Sequence, residues 1–214
     1  MPLSYVISYV IMASAATAGA IRFKRLSASS SWLLLLILLL FLREILAYWI
    51  GHVYKSNLIV YHFFIPLESA LFLIVYSCEL KKYRWFITIS IVTVLVGGLI
   101  SLIIHRYRLT SSFPSAFQNG VDVVSVIVIL LYLRELINQP TTHPFGQYPL
   151  FWISIGWLLM VVLSSSSLGT FNYVSSNYAT TFALLFEQIR TVAEWQLYAL
   201  FVVAFLSKQR SISQ

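Results

Sequence analysis

Long runs of apolar residues, separated by short polar segments, dominate this sequence and limit what it can fold into. A run of about 20 apolar residues is the length of helix that crosses a hydrocarbon layer about 30 Å thick. Because 59% of the 214 residues are hydrophobic and only 10% are charged, a water-soluble domain could not bury so much apolar surface. The sequence therefore predicts an all-α, polytopic membrane protein.

The spacing of these runs predicts seven transmembrane helices in a single bundle. The polar segments between them are short and rich in proline and hydroxyl side chains, as is typical of turns at a membrane surface. None of them is long enough to form a separate soluble domain. The predicted helices cover about residues 4–21, 31–50, 58–78, 85–105, 118–137, 150–168 and 179–206.

Lysine and arginine are distributed unequally between the two ends of the predicted helices. One side holds nine basic residues, namely Arg22, Lys24, Arg25, Lys81, Lys82, Arg84, Arg134, Lys208 and Arg210, whereas the other holds Lys55, Arg106 and Arg108. Because cytoplasmic loops carry the excess of positive charge, the N-terminus is expected outside and the C-terminus in the cytoplasm. The basic residues form no continuous stripe, so no nucleic-acid partner is expected.

Six ionisable side chains fall deep within the predicted helices, where each charge costs about 2.5 to 3.5 kcal/mol. The spacing of Glu187, Arg190 and Glu194 puts all three on one face of helix seven, where they can pair. Four carboxylates against two guanidiniums leave excess negative charge in a low dielectric, so at least one carboxyl group should be protonated at neutral pH. The six residues are Arg43, Glu44, Glu68, Glu187, Arg190 and Glu194.

Helix three carries a polar stripe that leads from its outer end to the middle of the membrane. Asn57, Tyr61 and Glu68 fall within about 40° of one another around the helix. Pro66 frees the carbonyl group of His62, because proline lacks the amide hydrogen that would bond to it. On helix two, Glu44 and Tyr48 begin a comparable line. These residues predict a site of Glu, Arg, His and Tyr side chains near mid-membrane.

Three functions are compatible with such a site. The favoured one is a transporter, channel or receptor-like protein with a proton-linked role, in which the site takes a small molecule or an ion. A membrane-embedded enzyme acting on a lipid or isoprenoid could instead use Glu68 or Glu187 as a general acid. In a purely structural or interaction module, the same charges would only fasten helices together. The sequence leaves the oligomeric state open.

No cofactor or metal site is predicted. His-x-x-x-His, His-Glu-x-x-His and Cys-x-x-Cys patterns are absent, so any metal ligands would have to come from separate helices. All five lysines lie in loops or in the tail, which leaves no buried amine for a Schiff base with retinal. His105 and His143 are expected to be solvated, and membrane lipid is the one general partner expected.

The stretch from Asn57 through Glu68 to Tyr76, followed by a basic loop and later by Phe151-Trp152-Ile153, resembles a widespread group of small bacterial seven-helix membrane proteins without assigned function. The resemblance implies a multi-pass protein of the bacterial inner (plasma) membrane and no particular mechanism. Pro66-Leu67-Glu68 also resembles the Pro-x-Glu-Glu segment of membrane lycopene cyclases. Ser69 stands where those enzymes have a second carboxylate, which weakens the enzymatic alternative.

Overall fold

The computed structural model describes residues 3–107, 109–138, 143–177, 180–208 and 210, and the side chains of 164–187 lie outside this description. The described residues form α-helices and short 3-10 turns, with no β-strand among them. The helices are α1 (Leu3–Ile21), α2 (Ala28–Tyr54), α3 (Leu58–Glu79), α4 (Arg84–Ile104), α5 (Ser115–Asn138), α6 (Pro149–Asn177) and α7 (Thr180–Leu206). The 3-10 turns are Phe23–Arg25, Lys81–Tyr83 and Phe145–Gln147.

Five stretches of this fold are long and apolar enough to cross a membrane. They are Leu3–Ile21, Ala28–Tyr54, Leu58–Glu79, Lys81–Ile104 and Gln188–Leu206. The apolar part of α6 within the described residues, Pro149–Leu163, is shorter. The prediction of an all-helical, membrane-type protein is therefore confirmed, with seven helices in total and five of spanning length and composition.

Polar residues continue some helices beyond the ends that the apolar runs mark. Helix α2 begins three residues before its predicted start, because the Ser27 hydroxyl accepts a hydrogen bond from the Ser30 amide at 3.2 Å and so caps the helix. It ends at Tyr54 and is capped by Lys55, whose φ of 61° lies in the left-handed region. Helix α6 extends nine residues past its predicted end at Leu168, through residues 169–177, which include Thr170, Ser175 and Ser176. Hydroxyl side chains are compatible with a helix near a membrane surface, so the apolar pattern alone does not mark its end.

The helices pack as a closed ring. Each helix contacts the next along the chain, α1 closes the ring against α7, and α3 also packs on α5. Most of α3 is buried, whereas α4 packs mainly on α3 and α5 and exposes most of its apolar side chains. Exposed apolar residues on a spanning helix face lipid at no cost. Helix α4 therefore lies at the periphery of the bundle.

Hydrogen bonds join helix ends and place the basic residues on one side of the bundle. The Arg22 guanidinium donates to the carbonyl oxygens of Phe205 and Leu206 at 3.0 and 2.7 Å, where its charge complements the C-terminal end of α7. On the same side, Ser29 at the start of α2 donates to Glu79 at the end of α3, at 2.6 Å. The basic turns Phe23–Arg25 and Lys81–Tyr83 follow α1 and α3 directly, so both lie at this end.

The closest approach between helices lies where α4 crosses the proline of α3. A Cβ atom placed on Gly98 would lie 2.7 Å from Cβ of Pro66 and closer still to its Cγ. Glycine permits this approach because it has no side chain, as is common where membrane helices pack tightly. The proline thus both interrupts the α3 hydrogen bonds and fits against Gly98.

We expect Gly98→Ala to destabilise the protein by about 1 to 3 kcal/mol, because the added methyl group overlaps the Pro66 ring. Gly120→Ala is the matched control: Gly120 is exposed in α5 with nothing within 4 Å of an added Cβ. That substitution should be neutral or stabilise the helix by up to about 1 kcal/mol. Thermal unfolding of the purified proteins in detergent measures both, and equal melting temperatures for the two variants would contradict the close contact.

Candidate functional site

Arg43 of α2 holds two carboxylates, one from its own helix and one from α3. Its Nε and Nη2 atoms donate to Oε1 of Glu44 at 3.0 and 2.7 Å, and Nη1 donates to Oε2 of Glu68 at 2.7 Å. All three side chains are at most 11% exposed. Hydrogen bonds between opposite charges are strong in such surroundings, so Arg43 joins α2 to α3 at this level.

This ion pair lies near the middle of both helices. Glu68 is the eleventh of the 22 residues of α3, and Arg43 is the sixteenth of the 27 residues of α2. At 1.5 Å per residue, each is roughly 15 Å or more from the nearer end of its helix. The structure therefore brings together the three mid-helix charges that the sequence marks on helices two and three.

A second ion pair comes from α7, and Tyr61 of α3 lies between the two. Arg190 and Glu194 pair at 3.4 Å with the i,i+4 spacing that the sequence predicts. Arg190 and Tyr61 line the same two cavities. The ring of Tyr61 lies 5.6 Å from the Arg43 guanidinium carbon, within the range of a cation–π contact. Tyr61 thus connects the charges of α7 with those of α2 and α3.

Two small cavities adjoin this cluster and share part of their lining. The smaller, about 40 Å³, is lined by Glu44 and by residues near the start of α1, the end of α2 and the start of α3, while the larger, about 70 Å³, is lined by Arg43 and Glu68. Tyr61, Arg190 and Glu194 line both cavities. Consecutive residues on a helix point about 100° apart, which is why Arg43 and Glu44 line different cavities. The cluster therefore forms the partition between the two.

Two of the residues that line the larger cavity have a buried polar atom that makes no hydrogen bond to a described residue. These atoms are the acceptor Oε1 of Glu68 and the donor Nε1 of Trp157. A buried polar atom without a partner costs about 1 to 3 kcal/mol, so such atoms are usually satisfied by water or a ligand. A cavity of this size has room for a few water molecules. The chemistry of the lining therefore fits water or a small polar ligand.

The described side chains of the cluster carry a net negative charge when all are ionised. Glu44, Glu68 and Glu194 contribute three negative charges and Arg43 and Arg190 two positive ones, a sum of −1. Excess charge in a low-dielectric environment is costly unless a counterion or a proton neutralises it. The arrangement is therefore suited to exchanging a proton or a small cation.

Of the remaining predicted residues, some join this site and others do not. Tyr48 and Asn57 line the smaller cavity beside Glu44. His62 is absent from the lining of both cavities; it is buried, bonds to the Ser112 carbonyl at 2.9 Å and packs against His105. The polar stripe of α3 therefore includes Asn57, Tyr61 and Glu68 but not His62. The side chain of Glu187 lies outside the described residues.

Sequence reasoning missed several contributors to the cavity walls. Gln118, Trp157 and Tyr198 line the larger cavity with Glu68, yet none of them carries a formal charge that marks it within its helix. Tyr198 did have a signal: it follows Glu194 by four residues, so it lies on the same face of helix seven as Arg190 and Glu194, and it is only 1% exposed. Which faces Gln118 and Trp157 present depends on how their helices pack.

Comparison of the chain with protein-family models, with curated proteins and with solved structures found no significant match.

We expect Arg43→Gln to destabilise the protein by about 3 to 5 kcal/mol, because it leaves Glu44 and Glu68 buried without their cation. Arg134→Gln, at an exposed position of α5, serves as the control for loss of a positive charge. Adding Glu68→Gln to Arg43→Gln should recover part of the loss, since one of the two unpaired charges is then removed. Chemical or thermal unfolding in detergent measures these changes; an Arg43→Gln protein as stable as the Arg134→Gln protein would contradict the assignment.

Proposed function

We propose that this chain is a multi-pass membrane transporter whose mid-membrane site binds and releases a proton at Glu68. In this proposal the N-terminus lies outside, the C-terminus lies in the cytoplasm and the transported solute is a small molecule or ion. The observation that carries the proposal is the environment of Glu68, which lines the larger cavity: one of its oxygens pairs with Arg43, and the other makes no hydrogen bond to a described residue.

The charge balance of the cluster supports a proton as the exchanged species. Among the described side chains, three carboxylates share two guanidiniums, so one bound proton makes this set neutral. Glu44 receives two hydrogen bonds from Arg43, whereas Glu68 receives one. The less satisfied carboxylate gains more from protonation, since hydrogen bonds from a cation favour the charged form. Glu68 is therefore the carboxyl group that accepts the proton.

The cavity dimensions favour this function over an enzyme acting on a lipid or isoprenoid. Sites for drug-sized and larger apolar ligands occupy about 300 Å³ or more. The two cavities at the cluster measure about 40 and 70 Å³. Water molecules and protons fit such spaces, whereas an isoprenoid chain would need the helices to separate. Buried acids that mark proton pathways are a recurring feature of membrane transporters.

Infrared spectroscopy tests the proton site without knowledge of the solute. We expect the pH-difference spectrum of the purified protein to contain the carbonyl stretch of a buried carboxylic acid, because protonation converts a carboxylate into an acid. Glu68→Gln should remove this band and leave the fold intact, since its amide still accepts a hydrogen bond from Arg43. Glu135→Gln, which neutralises a carboxylate near the end of α5, is the control and should retain the band.

Proteoliposomes then distinguish transport from a structural role. An imposed pH gradient should drive uptake of one solute from a screened set, and Glu68→Gln should abolish that uptake. If Glu68→Gln leaves the infrared spectrum unchanged and alters only thermal stability, the charges serve to fasten helices together, and the transport proposal fails.

The proposed orientation predicts which loops are accessible from outside the cell. In a Cys78→Ser background, a cysteine at Lys55 should react with a membrane-impermeant maleimide in intact cells, whereas a cysteine at Lys82 should react only after lysis. Both positions are exposed, so accessibility of the side chain does not differ between them. The reverse labelling pattern would show that the topology is inverted, and with it the direction of proton entry.

The location that the sequence resemblance implies is checked separately. The protein is expressed in a bacterial host, the membranes are fractionated, and the protein should be found in the inner membrane.

A further inference from the structure

Two histidines from different helices meet at the end of the bundle where α3 begins and α4 ends. His62 lies in the first turns of α3, and His105 follows the last residue of α4. Their ring centroids are 5.6 Å apart and the ring planes are inclined by 42°. His62 is buried, at 3% exposure, while His105 is half-buried and so remains partly accessible to solvent.

The hydrogen bonds of the two rings fix which nitrogen of each carries a proton in the neutral form. Nε2 of His62 bonds to the carbonyl oxygen of Ser112 at 2.9 Å, and Nδ1 of His105 bonds to the carbonyl oxygen of Ser101 at 2.9 Å. A carbonyl oxygen can only accept, so both of these nitrogens are donors. In the neutral rings, Nδ1 of His62 and Nε2 of His105 therefore each keep a lone pair.

The lone pair of His62 has no hydrogen-bond donor among the described residues. Nδ1 of His62 is buried and makes no hydrogen bond. A buried acceptor of this kind requires a partner, which a water, a proton or a metal ion would supply. Histidines that bind metals usually donate their other ring N–H to a backbone carbonyl or carboxylate, which orients the ring. Both His62 and His105 have this carbonyl partner.

The distance between the rings matches two imidazoles on a common ion. With a metal–nitrogen distance of about 2.05 Å and about 1.15 Å from nitrogen to ring centroid, two ligands at a tetrahedral angle have centroids about 5.2 Å apart, and two in a line about 6.4 Å apart. The observed 5.6 Å lies between these limits. We propose that His62 and His105 form a binding site for a late transition-metal ion, with Zn²⁺ as the representative species.

The ligand set defines the kind of site. Within the described residues, no group of three His, Cys, Asp or Glu side chains is placed to hold a metal, so water completes the coordination around two histidines. Imidazole selects Zn²⁺, Cu²⁺ or Ni²⁺ over Mg²⁺ or Ca²⁺, which prefer oxygen ligands. The bound ion joins the N-terminal part of α3 to the C-terminal end of α4. The site is separate from the Glu68 cluster and does not depend on its function.

Isothermal titration of ZnCl₂ into the full chain, purified in detergent without a histidine tag, tests the proposal. We expect one ion per chain, no binding of Mg²⁺, and an affinity at least about tenfold weaker in His62→Gln or His105→Gln, since each loses one of two protein ligands. His52→Gln and His143→Gln, at the two remaining and exposed histidines, are the matched controls and should bind as the starting protein does.

A second measurement separates ligation from folding. Zn²⁺ affinity should fall as the pH is lowered through the range where imidazole is protonated, because protons compete for the same lone pairs. The melting temperature without metal shows whether His62→Gln disturbs the fold. If it does, Zn²⁺ binding by His105→Gln tests the proposal instead, because His105 is only half-buried. Absence of Zn²⁺ binding, unchanged binding in His105→Gln, or pH-independent binding would each overturn the proposal. Glu68→Gln should bind Zn²⁺ normally, which keeps this result independent of the proton site.

Discussion

The ion pair between Arg43 and Glu68 is the interaction on which the interior of this bundle depends. In lipid, apolar side chains supply no hydrophobic force between helices, so packing and polar contacts hold them together. Arg43 lies on α2 and Glu68 on α3, most of which is buried. Moving α2 relative to α3 by one residue would rotate one partner about 100° away. The pair therefore sets the register of the two helices as well as their contact.

Much of the fold follows from residue type alone. A membrane requires long apolar helices, because a helix makes all of its backbone hydrogen bonds internally. The basic residues after helices one and three, and the Arg190–Glu194 pair, also follow from local spacing. The contact between Arg43 and Glu68 does not, because it depends on how two separate helices rotate against each other. His62 illustrates the same difficulty: it lies next to Tyr61 in sequence, yet one residue turns it away from the cavities and toward His105.

The aromatic residues explain why so small a cavity remains in the middle of the bundle. Phe72 stacks near Trp157 at 4.3 Å between centroids, and the Tyr76 hydroxyl forms a 2.8 Å hydrogen bond with Ser154. These contacts join α3 to α6 on the side toward the C-terminal end of α3, where the core is tightly filled. The two cavities at the ion pairs lie at the level of Glu68 and toward the start of α3. The bundle therefore has one half with buried charges and cavities and one half with a tightly packed apolar core.

This asymmetry bears on how a proton could pass beyond Glu68. On one side of Glu68, Tyr61 and Arg190 separate two polar cavities, so small side-chain rotations there would connect them. On the other side, Phe72, Leu73 and Tyr76 are almost fully buried, and no comparable polar lining is described among them. In the proposed transporter, alternating access would have to open this apolar half, and the interface between α3 and α6 is where packing would change. The close contact of Gly98 with Pro66 joins α4 to α3, so these two helices would move as one unit.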